Sequence, residues 1–292
     1  MNRNRHCIYL LNSLLLFVLF LAGCSSLPKE AVQKTPENLR ADSFLELGHR
    51  QLRSGKSSQA ITSFNRALAG HAAVDKRAGV SKSLCGLGRA QMAQGNLEEA
   101  RTCFTQALHS SRDIDKPELE AQALGGLGAV ELHLQQPHSA LSFLKTALAL
   151  PLENPGSTRA TLLHDLGSAQ MKQGNSSAAE NNFLEALAMH ETLRDLVGIA
   201  SDCYSLAIFH DAAGNTQLAI EKAKRALNND KRAGNSPGVA LDLTLLASLS
   251  ESGGDKTQAI DYYRRARLAW QALGQNDKFL DVSQRLQRIE SS

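Results

Sequence analysis

The most restrictive feature of this 292-residue chain is an internal repeat of about 40 residues. A Leu followed by Gly or Ala recurs six times, and an Ala stands 13 residues after each of these leucines. The leucines are Leu47, Leu87, Leu127, Leu166, Leu206 and Leu246. A large apolar residue follows the Ala by four positions in five of the six copies. Such a period predicts stacked copies of one supersecondary unit, because each copy buries its apolar face only against its neighbours.

Each copy is predicted to consist of two helices, A and B, joined by a tight turn. The conserved offsets of three, four and seven residues place the apolar positions on one helix face. Glycine at the turn suits the left-handed end of helix A, and Asn or Asp behind it is expected to cap helix B in most copies. The third copy instead has Pro137, which suits a first helical turn. Four copies keep a Gly inside helix A, which we attribute to close packing against the Ala of helix B.

The repeat resembles the tetratricopeptide repeat, and its length is similar to that of the 40-residue variants of that family. The second copy matches the family pattern by offset at Leu84, Leu87, Gly88, Ala100, Phe104 and Ala107. The resemblance implies an all-α fold, a right-handed superhelix of about six helix pairs over residues 41–275. Residues 276–292 are expected to form a terminal helix that caps the last repeat. Its apolar face would consist of Phe279, Leu280, Val282, Leu286 and Ile289.

The first residues of the chain are predicted to be a secretion signal. Arg3 and Arg5 precede an apolar run of about 15 residues, which is shorter than the roughly 20 that a membrane-spanning helix needs. The run ends in Leu21-Ala22-Gly23-Cys24, which resembles the lipobox of bacterial lipoproteins. The resemblance implies a signal peptide over 1–23, lipidation at Cys24 and a flexible tether over 24–40. An ordinary signal peptide and a retained membrane helix are the alternatives.

The residue after the lipidated cysteine carries information on localisation in that family. Ser25 implies the outer membrane of a Gram-negative bacterium, with the protein on the periplasmic face. Removal of residues 1–23 would lower the formal charge from +3 and leave 30 basic residues against 29 acidic ones. This balance does not indicate a dedicated nucleic-acid binder. Of the five cysteines, Cys7 would be removed and Cys24 lipidated, so we expect no disulfide framework.

Helices A are expected to line a concave groove, which in the resembling family binds peptides and partner proteins. By their offsets from the repeat leucines, the groove residues are predicted to be Lys82, Cys85, Arg89, Met92, Gln122, Leu132, His133, His164, Met171, Lys172, Tyr204 and Ile208. The basic members could attract a carboxylate, and the methionines are adaptable contacts. Gly125 and Gly126 would leave room for a partner backbone. Solvation, or contact with the next repeat, is the alternative role for about half of the set.

Several other features do not favour a catalytic or metal site. The Gly pairs around Gly86 and Gly126 fall inside helix A rather than behind a strand, so no nucleotide site is expected. His133, His138 and His164 lack the tight spacing of metal ligands. The Lys and Asn pair of the chaperone-binding members is absent. A basic group on the later helices B is expected to be a solvated convex face, and a phosphate-rich surface is the alternative.

The sequence therefore predicts a non-enzymatic, lipid-anchored scaffold that needs no cofactor and holds a peptide or partner protein in its groove. Outer-membrane, pilus, secretion or cell-wall machinery are the candidate contexts. A peptide or small-ligand sensor that uses the same groove is the alternative. Homo-oligomerisation through a terminal repeat stays open.

Overall fold

The computed structural model describes residues 36–291, which contain thirteen α-helices and no strand. The helices are α1 (Pro36–Arg53), α2 (Ser57–Ala73), α3 (Arg77–Ala93), α4 (Leu97–Arg112), α5 (Pro117–His133), α6 (Pro137–Leu148), α7 (Gly156–Lys172), α8 (Ser176–Leu193), α9 (Leu196–Ala212), α10 (Thr216–Ala233), α11 (Ser236–Ser252), α12 (Lys256–Ala272) and α13 (Asn276–Ser291). The odd-numbered helices from α1 to α11 are the predicted helices A, and the even-numbered helices from α2 to α12 are the predicted helices B. The all-helical prediction is confirmed. Helix α1 begins at Pro36, ahead of the predicted start at residue 41.

The A–B turns follow the predicted glycine chemistry, whereas most of the predicted caps do not form. Glycine occupies the left-handed region in five turns, with φ between +73° and +82°, and Gln135 adopts φ 59° in the third. Asp255 Oδ1 accepts a hydrogen bond from the Gln258 backbone N–H at 2.9 Å. The asparagines before α4, α8 and α10 make no side-chain cap bond, so the capping prediction was wrong there. In these turns a backbone bond from that asparagine's own N–H to helix A closes the turn instead.

In five of the six repeats, the core contains a large side chain of helix B that packs against a small residue of helix A. Phe64, Phe104, Leu144, Phe183 and Tyr263 are all completely buried. A Cβ built on Gly48 would lie 2.7 Å from Phe64 Cε1, and one on Gly88 would lie 2.8 Å from Phe104 Cζ. Both distances are shorter than van der Waals contact. The glycine in helix A therefore makes room chiefly for this large side chain, not for the alanine of helix B as we expected.

Neighbouring repeats pack through both kinds of helix. Helices A of adjacent repeats contact each other directly, as α3 does with α5 and α5 with α7. Helix α5 accordingly buries residues all around its circumference, among them Leu119, Leu124 and Val130. Helix α10 buries one stripe and exposes the rest. Cys203 is completely buried, as the sequence predicts for a small apolar core residue.

The terminal helix α13 packs on the last repeat. Val282, Leu286 and Ile289 are buried, and Phe279 packs against the same cluster. Leu280 is 54% exposed, which corrects its assignment to the capping face. The buried residues follow one another at intervals of three and four, and Leu280 lies off that stripe because it is only two residues from Val282.

Candidate functional site

Helices α3, α5 and α7 share one concave surface, and a cavity of about 260 Å³ opens on it. Three helices A from successive repeats thus meet at one place, as a groove lined by helix A requires. The cavity is lined by Arg89, Met92, Phe104, Ala121, Gln122, Gly125, Gly126, Ala129, Ser157, Thr158, Thr161, Leu162 and Asp165. Arg89, Met92 and Gln122 are therefore predicted groove residues that the fold brings together.

Two residues of opposite charge, Arg89 and Asp165, line this cavity but do not form a salt bridge with each other. Arg89 is exposed on α3 and Asp165 is half-buried on α7. Within residues 36–291, neither the guanidinium nor the carboxylate makes a hydrogen bond or an ion pair with another side chain. Each group is therefore available to a ligand of the opposite charge.

Burial raises the pKa of the Asp165 carboxyl to about 6, while the neighbouring His164 and Arg89 pull it down. The ionised form is disfavoured because the surrounding protein replaces water that would solvate it. At neutral pH the carboxylate still predominates. A cation that enters the cavity would relieve part of this desolvation penalty.

A second cavity of about 300 Å³ adjoins the first and shares Ala129 and Asp165 with it. It is lined by Ala129, Leu132, His133, Gln135, His164, Asp165, Ser168 and Lys172, four of which are predicted groove residues. Lys172 Nζ donates a hydrogen bond to Gln135 Oε1 at 3.0 Å. Burial, followed by the charge of Lys172, lowers the pKa of His133. His133 is therefore neutral at physiological pH.

His164 is held in place by a carboxylate of the next repeat. Asp202 is completely buried, and its two oxygens accept hydrogen bonds from Nδ1 of His164 and Nδ1 of His190, both at 2.7 Å. Burial alone would lower the pKa of His164, but the bond to Asp202 and the charges of Asp165 and Asp202 raise it. The arrangement fixes the His164 ring, so that its position at the second cavity is defined.

Other predicted groove residues lie outside both cavities. Lys82 is exposed on α3, and Ile208 is half-buried on α9. Met171 and Tyr204 are half-buried and pack against the core cluster around Phe183. Cys85 is only 3% exposed and belongs to the core, which corrects its assignment to the groove surface. Its position lies on the side of α3 that faces the neighbouring helices.

The glycines of α5 have a different role from the one predicted. A Cβ on Gly126 would collide with the ring of Phe104, and one on Gly125 would lie 2.9 Å from Leu162 Cδ2. Both glycines border the first cavity, but Gly126 accommodates a side chain of this chain rather than a partner backbone. The prediction that they leave room for a partner was wrong for Gly126.

Asp165 is the main residue that sequence reasoning missed. It precedes the repeat leucine Leu166, at the position that Gly86 and Gly126 occupy in the two preceding copies. An acidic residue at a repeat position that two other copies fill with glycine could have indicated a functional role for Asp165. The hydroxyl residues Ser157, Thr158 and Thr161 were also missed, although Thr161 lies five before the repeat leucine, where our offset rule places groove residues.

The basic residues of the later helices B are partly neutralised by neighbouring acids. Arg225 pairs with Glu191, and Arg264 pairs with Glu290 at 2.6 Å. Arg265 pairs with Asp261 one turn away at 3.0 Å. These pairs weaken the field that a phosphate-rich surface would require.

The three cysteines between residues 36 and 291 are buried free thiols. Burial raises the pKa of both Cys85 and Cys203 to about 11. Since the thiolate is the nucleophile, these thiols are poorly reactive at neutral pH. Among the described helices, none has the length and apolar character needed to cross a bilayer. The lipobox residues 21–24 lie outside the described part of the chain.

Solved structures of other repeat proteins share this fold at low sequence identity. The apo form of RapI is 18% identical, with a TM-score of 0.62 over 83% of this chain and 87% of that one. The Rap conjugation gene regulator of plasmid pLS20, in complex with the Phr* peptide, is 16% identical, with a TM-score of 0.67 over 86% and 67%. PilW, a widely conserved type IV pilus biogenesis factor, is 19% identical, with a TM-score of 0.52 over 83% and 97%.

Comparison with family models identifies the repeat itself. No curated protein sequence matches the chain. Two models described as tetratricopeptide repeat match residues 79–153, 119–192 and 164–240. Together the matches span residues 79–240, more than half of the 292 residues, and include the three helices that border the first cavity. The chain therefore belongs to the tetratricopeptide-repeat family.

Proposed function

We propose that this protein is a binding scaffold that holds a peptide or a segment of a partner protein against the concave face of α3, α5 and α7. The observation that carries the proposal is the cavity of about 260 Å³ with Arg89 and Asp165 unpaired at its border. Pockets that combine apolar walls with a few polar groups are typical of ligand sites. The buried, weakly acidic thiols support binding rather than covalent catalysis.

Capture of the partner by affinity purification tests this proposal. The double variant Arg89→Glu plus Met92→Ala should lose the partner that the native chain captures, since it reverses a charge and removes an apolar contact at the first cavity. A matched control, Arg232→Glu plus Met189→Ala, makes the same changes on helices B and should retain it. Equal capture by both double variants would contradict binding in the groove.

We further propose that Cys24 is lipidated and anchors the protein to the periplasmic face of the outer membrane. The support is the Leu21-Ala22-Gly23-Cys24 sequence behind a short apolar run, with Ser25 after it. Two or three acyl chains give stable anchoring, whereas one is marginal. Mass spectrometry of the mature N-terminus should find an acylated Cys24, and an unmodified cysteine would rule the anchor out. Density-gradient separation of inner and outer membranes tests the localisation.

A peptide or small-ligand sensor is the second candidate function. The cavity is of a size that suits one side chain or a small molecule, and the Rap regulator of similar fold was solved with a peptide. A sensor should be stabilised by its ligand in proportion to ligand concentration. Thermal-shift measurements against a collection of peptides and small molecules test this candidate, and the lack of any concentration-dependent stabilisation would contradict a sensor. Pilus assembly, in which PilW takes part, is one context in which to seek the partner of a scaffold.

A further inference from the structure

Arg89 and Asp165 together indicate which kind of side chain the first cavity binds, which the proposed function leaves open. We propose that the first cavity takes a lysine side chain of the partner, whose ammonium pairs with Asp165, and that a carboxylate next to this lysine pairs with Arg89. This inference rests on the proposed function, since it concerns the same concave face.

The walls of the cavity suit the stem of a lysine. The side chains of Phe104, Ala121, Ala129 and Leu162 contribute apolar atoms to the lining. Met92 adds a flexible apolar contact near the rim. Lysine buries its methylene stem along apolar surface while its ammonium seeks a polar partner. A cavity of about 260 Å³ has room for one such side chain.

The polar groups of the cavity suit a compact ammonium. Asp165 supplies the charge, and Ser157, Thr158 and Thr161 on the same helix supply hydroxyl oxygens. Gln122 Nε2 donates to Thr158 Oγ1 at 3.3 Å, which orients that hydroxyl. The three donors of a compact ammonium can reach the Asp165 carboxylate and neighbouring hydroxyl oxygens together, whereas the planar fork of a guanidinium matches the carboxylate alone. Lysine therefore fits this cavity better than arginine.

Arg89 places a positive charge at the cavity, which favours a negative charge on the ligand beside the lysine. Arg89 is exposed on α3, across the cavity from the Asp165 helix, and makes no ion pair of its own. A ligand with lysine alone would place its ammonium near this guanidinium and meet repulsion. An acidic residue beside the lysine removes the repulsion and gives Arg89 a partner. The structure thus favours a Lys-Glu or Lys-Asp step in the bound segment.

Fluorescence anisotropy on the purified full-length chain in detergent tests the inference. The probe is the labelled peptide acetyl-Ala-Ala-Lys-Glu-Ala-Ala-amide, compared with two peptides in which norleucine replaces Lys or Gln replaces Glu. The native chain should bind the Lys-Glu peptide at least tenfold more tightly than either. Asp165→Asn should abolish the preference for Lys over norleucine and keep that for Glu over Gln. Arg89→Gln should abolish the preference for Glu over Gln and keep that for Lys over norleucine.

Control measurements separate this inference from the proposed function. Asp211→Asn makes the same chemical change on an exposed part of α9 and should leave both preferences intact. Far-UV circular dichroism verifies that each variant is folded. Equal affinity of the native chain for the Lys and norleucine peptides, or no binding of any peptide at millimolar concentration, would overturn the lysine inference. The proposed function would then still stand if Arg89→Glu plus Met92→Ala abolished partner capture, and it would fail separately if capture persisted.

Discussion

Single glycines in helix A show how one residue can depend on a distant one. Each of Gly48, Gly88 and Gly128 lies under a large side chain of helix B, and Gly86 and Gly126 receive the same aromatic rings from the preceding repeat. The repetition of glycine was visible in the sequence. The sequence did not show which side chain requires each glycine, because periodicity assigns residues to helix faces but does not show how far each side chain extends.

We expect Gly126→Ala to destabilise the protein by about 1–3 kcal/mol, because the new Cβ would meet the completely buried ring of Phe104. In an unconstrained helix the same change would stabilise by up to about 1 kcal/mol. Thermal or urea unfolding measures the difference. Thr105→Ala on the exposed face of α4 is the control and should stay within about 0.5 kcal/mol. A stability equal to or above that of the native chain would contradict the packing argument.

Two carboxyl groups share a buried site between α10 and α11. Burial raises the pKa of Asp242 to about 8 and that of Asp230 to about 6, and the proximity of the two carboxyls adds to the shift of Asp242. Asp242 is 1% exposed, and its Oδ2 lacks a hydrogen-bond partner. Between roughly pH 4 and pH 8 the folded chain therefore holds a proton that the unfolded chain has lost. The free energy of unfolding must fall as the pH rises through this window.

Replacement of Asp242 by Asn should reduce this dependence, and Asp230 should retain its own part of it. We expect Asp242→Asn to exceed the native chain in stability by about 1 kcal/mol or more at pH 8, and the difference to shrink steadily as the pH falls toward 4. Urea unfolding at pH 5, 6.5 and 8 checks the prediction. Asp211→Asn, at an exposed position, should follow the native pH dependence. A constant difference between Asp242→Asn and the native chain at all three pH values would exclude the shared proton.

Polar junctions between helix B and the following repeat are the main feature at the element scale. His71 Nδ1 lies 3.0 Å from Ser83 Oγ, and His190 bonds to Asp202 at the equivalent place three junctions later in the described chain. Each histidine packs on a glycine at the start of the next helix A, Gly79 or Gly198. The helices themselves were predictable from the 3.6-residue period. The junctions were not, because their polar residues vary from copy to copy.

We expect His190→Ala to cost about 2–4 kcal/mol, because it opens a cavity and leaves the completely buried Asp202 with one hydrogen-bond donor fewer. His138→Ala is the matched control, since His138 is exposed and should tolerate the change within about 0.5 kcal/mol. Chemical unfolding compares the two. Similar stabilities of both variants would show that the junction contributes little.

At the scale of the whole molecule, the first and sixth helix pairs lie in contact with each other. Gly55, in the first A–B turn, approaches the side chains of Leu273 and Pro237. Residues 54–59 and 272–275 line a shared cavity of about 610 Å³. The first and sixth helix pairs therefore lie close together at these residues.

We expect Leu273→Asp to separate the two ends, because a carboxylate would replace the apolar contact of Leu273 with Gly55 and Pro237. Small-angle X-ray scattering should show a larger radius of gyration, with unchanged helix content by circular dichroism. Leu268→Asp is the control, since Leu268 is 59% exposed and lies on the same helix pair. An unchanged radius of gyration would mean that curvature within the repeats, not this contact, holds the ends together.

The sequence by itself determined the repeat, the helix pairs and the core residues of each pair, because those contacts recur between neighbours and leave a periodic trace. It also predicted Arg89, Met92 and Gln122 as groove residues, and these three line the first cavity. Only the tertiary structure decided that Arg89 and Asp165 border one cavity and that Gly55 meets Leu273. Such meetings depend on the small rotation between successive repeats, which accumulates along the solenoid and which no local pattern records.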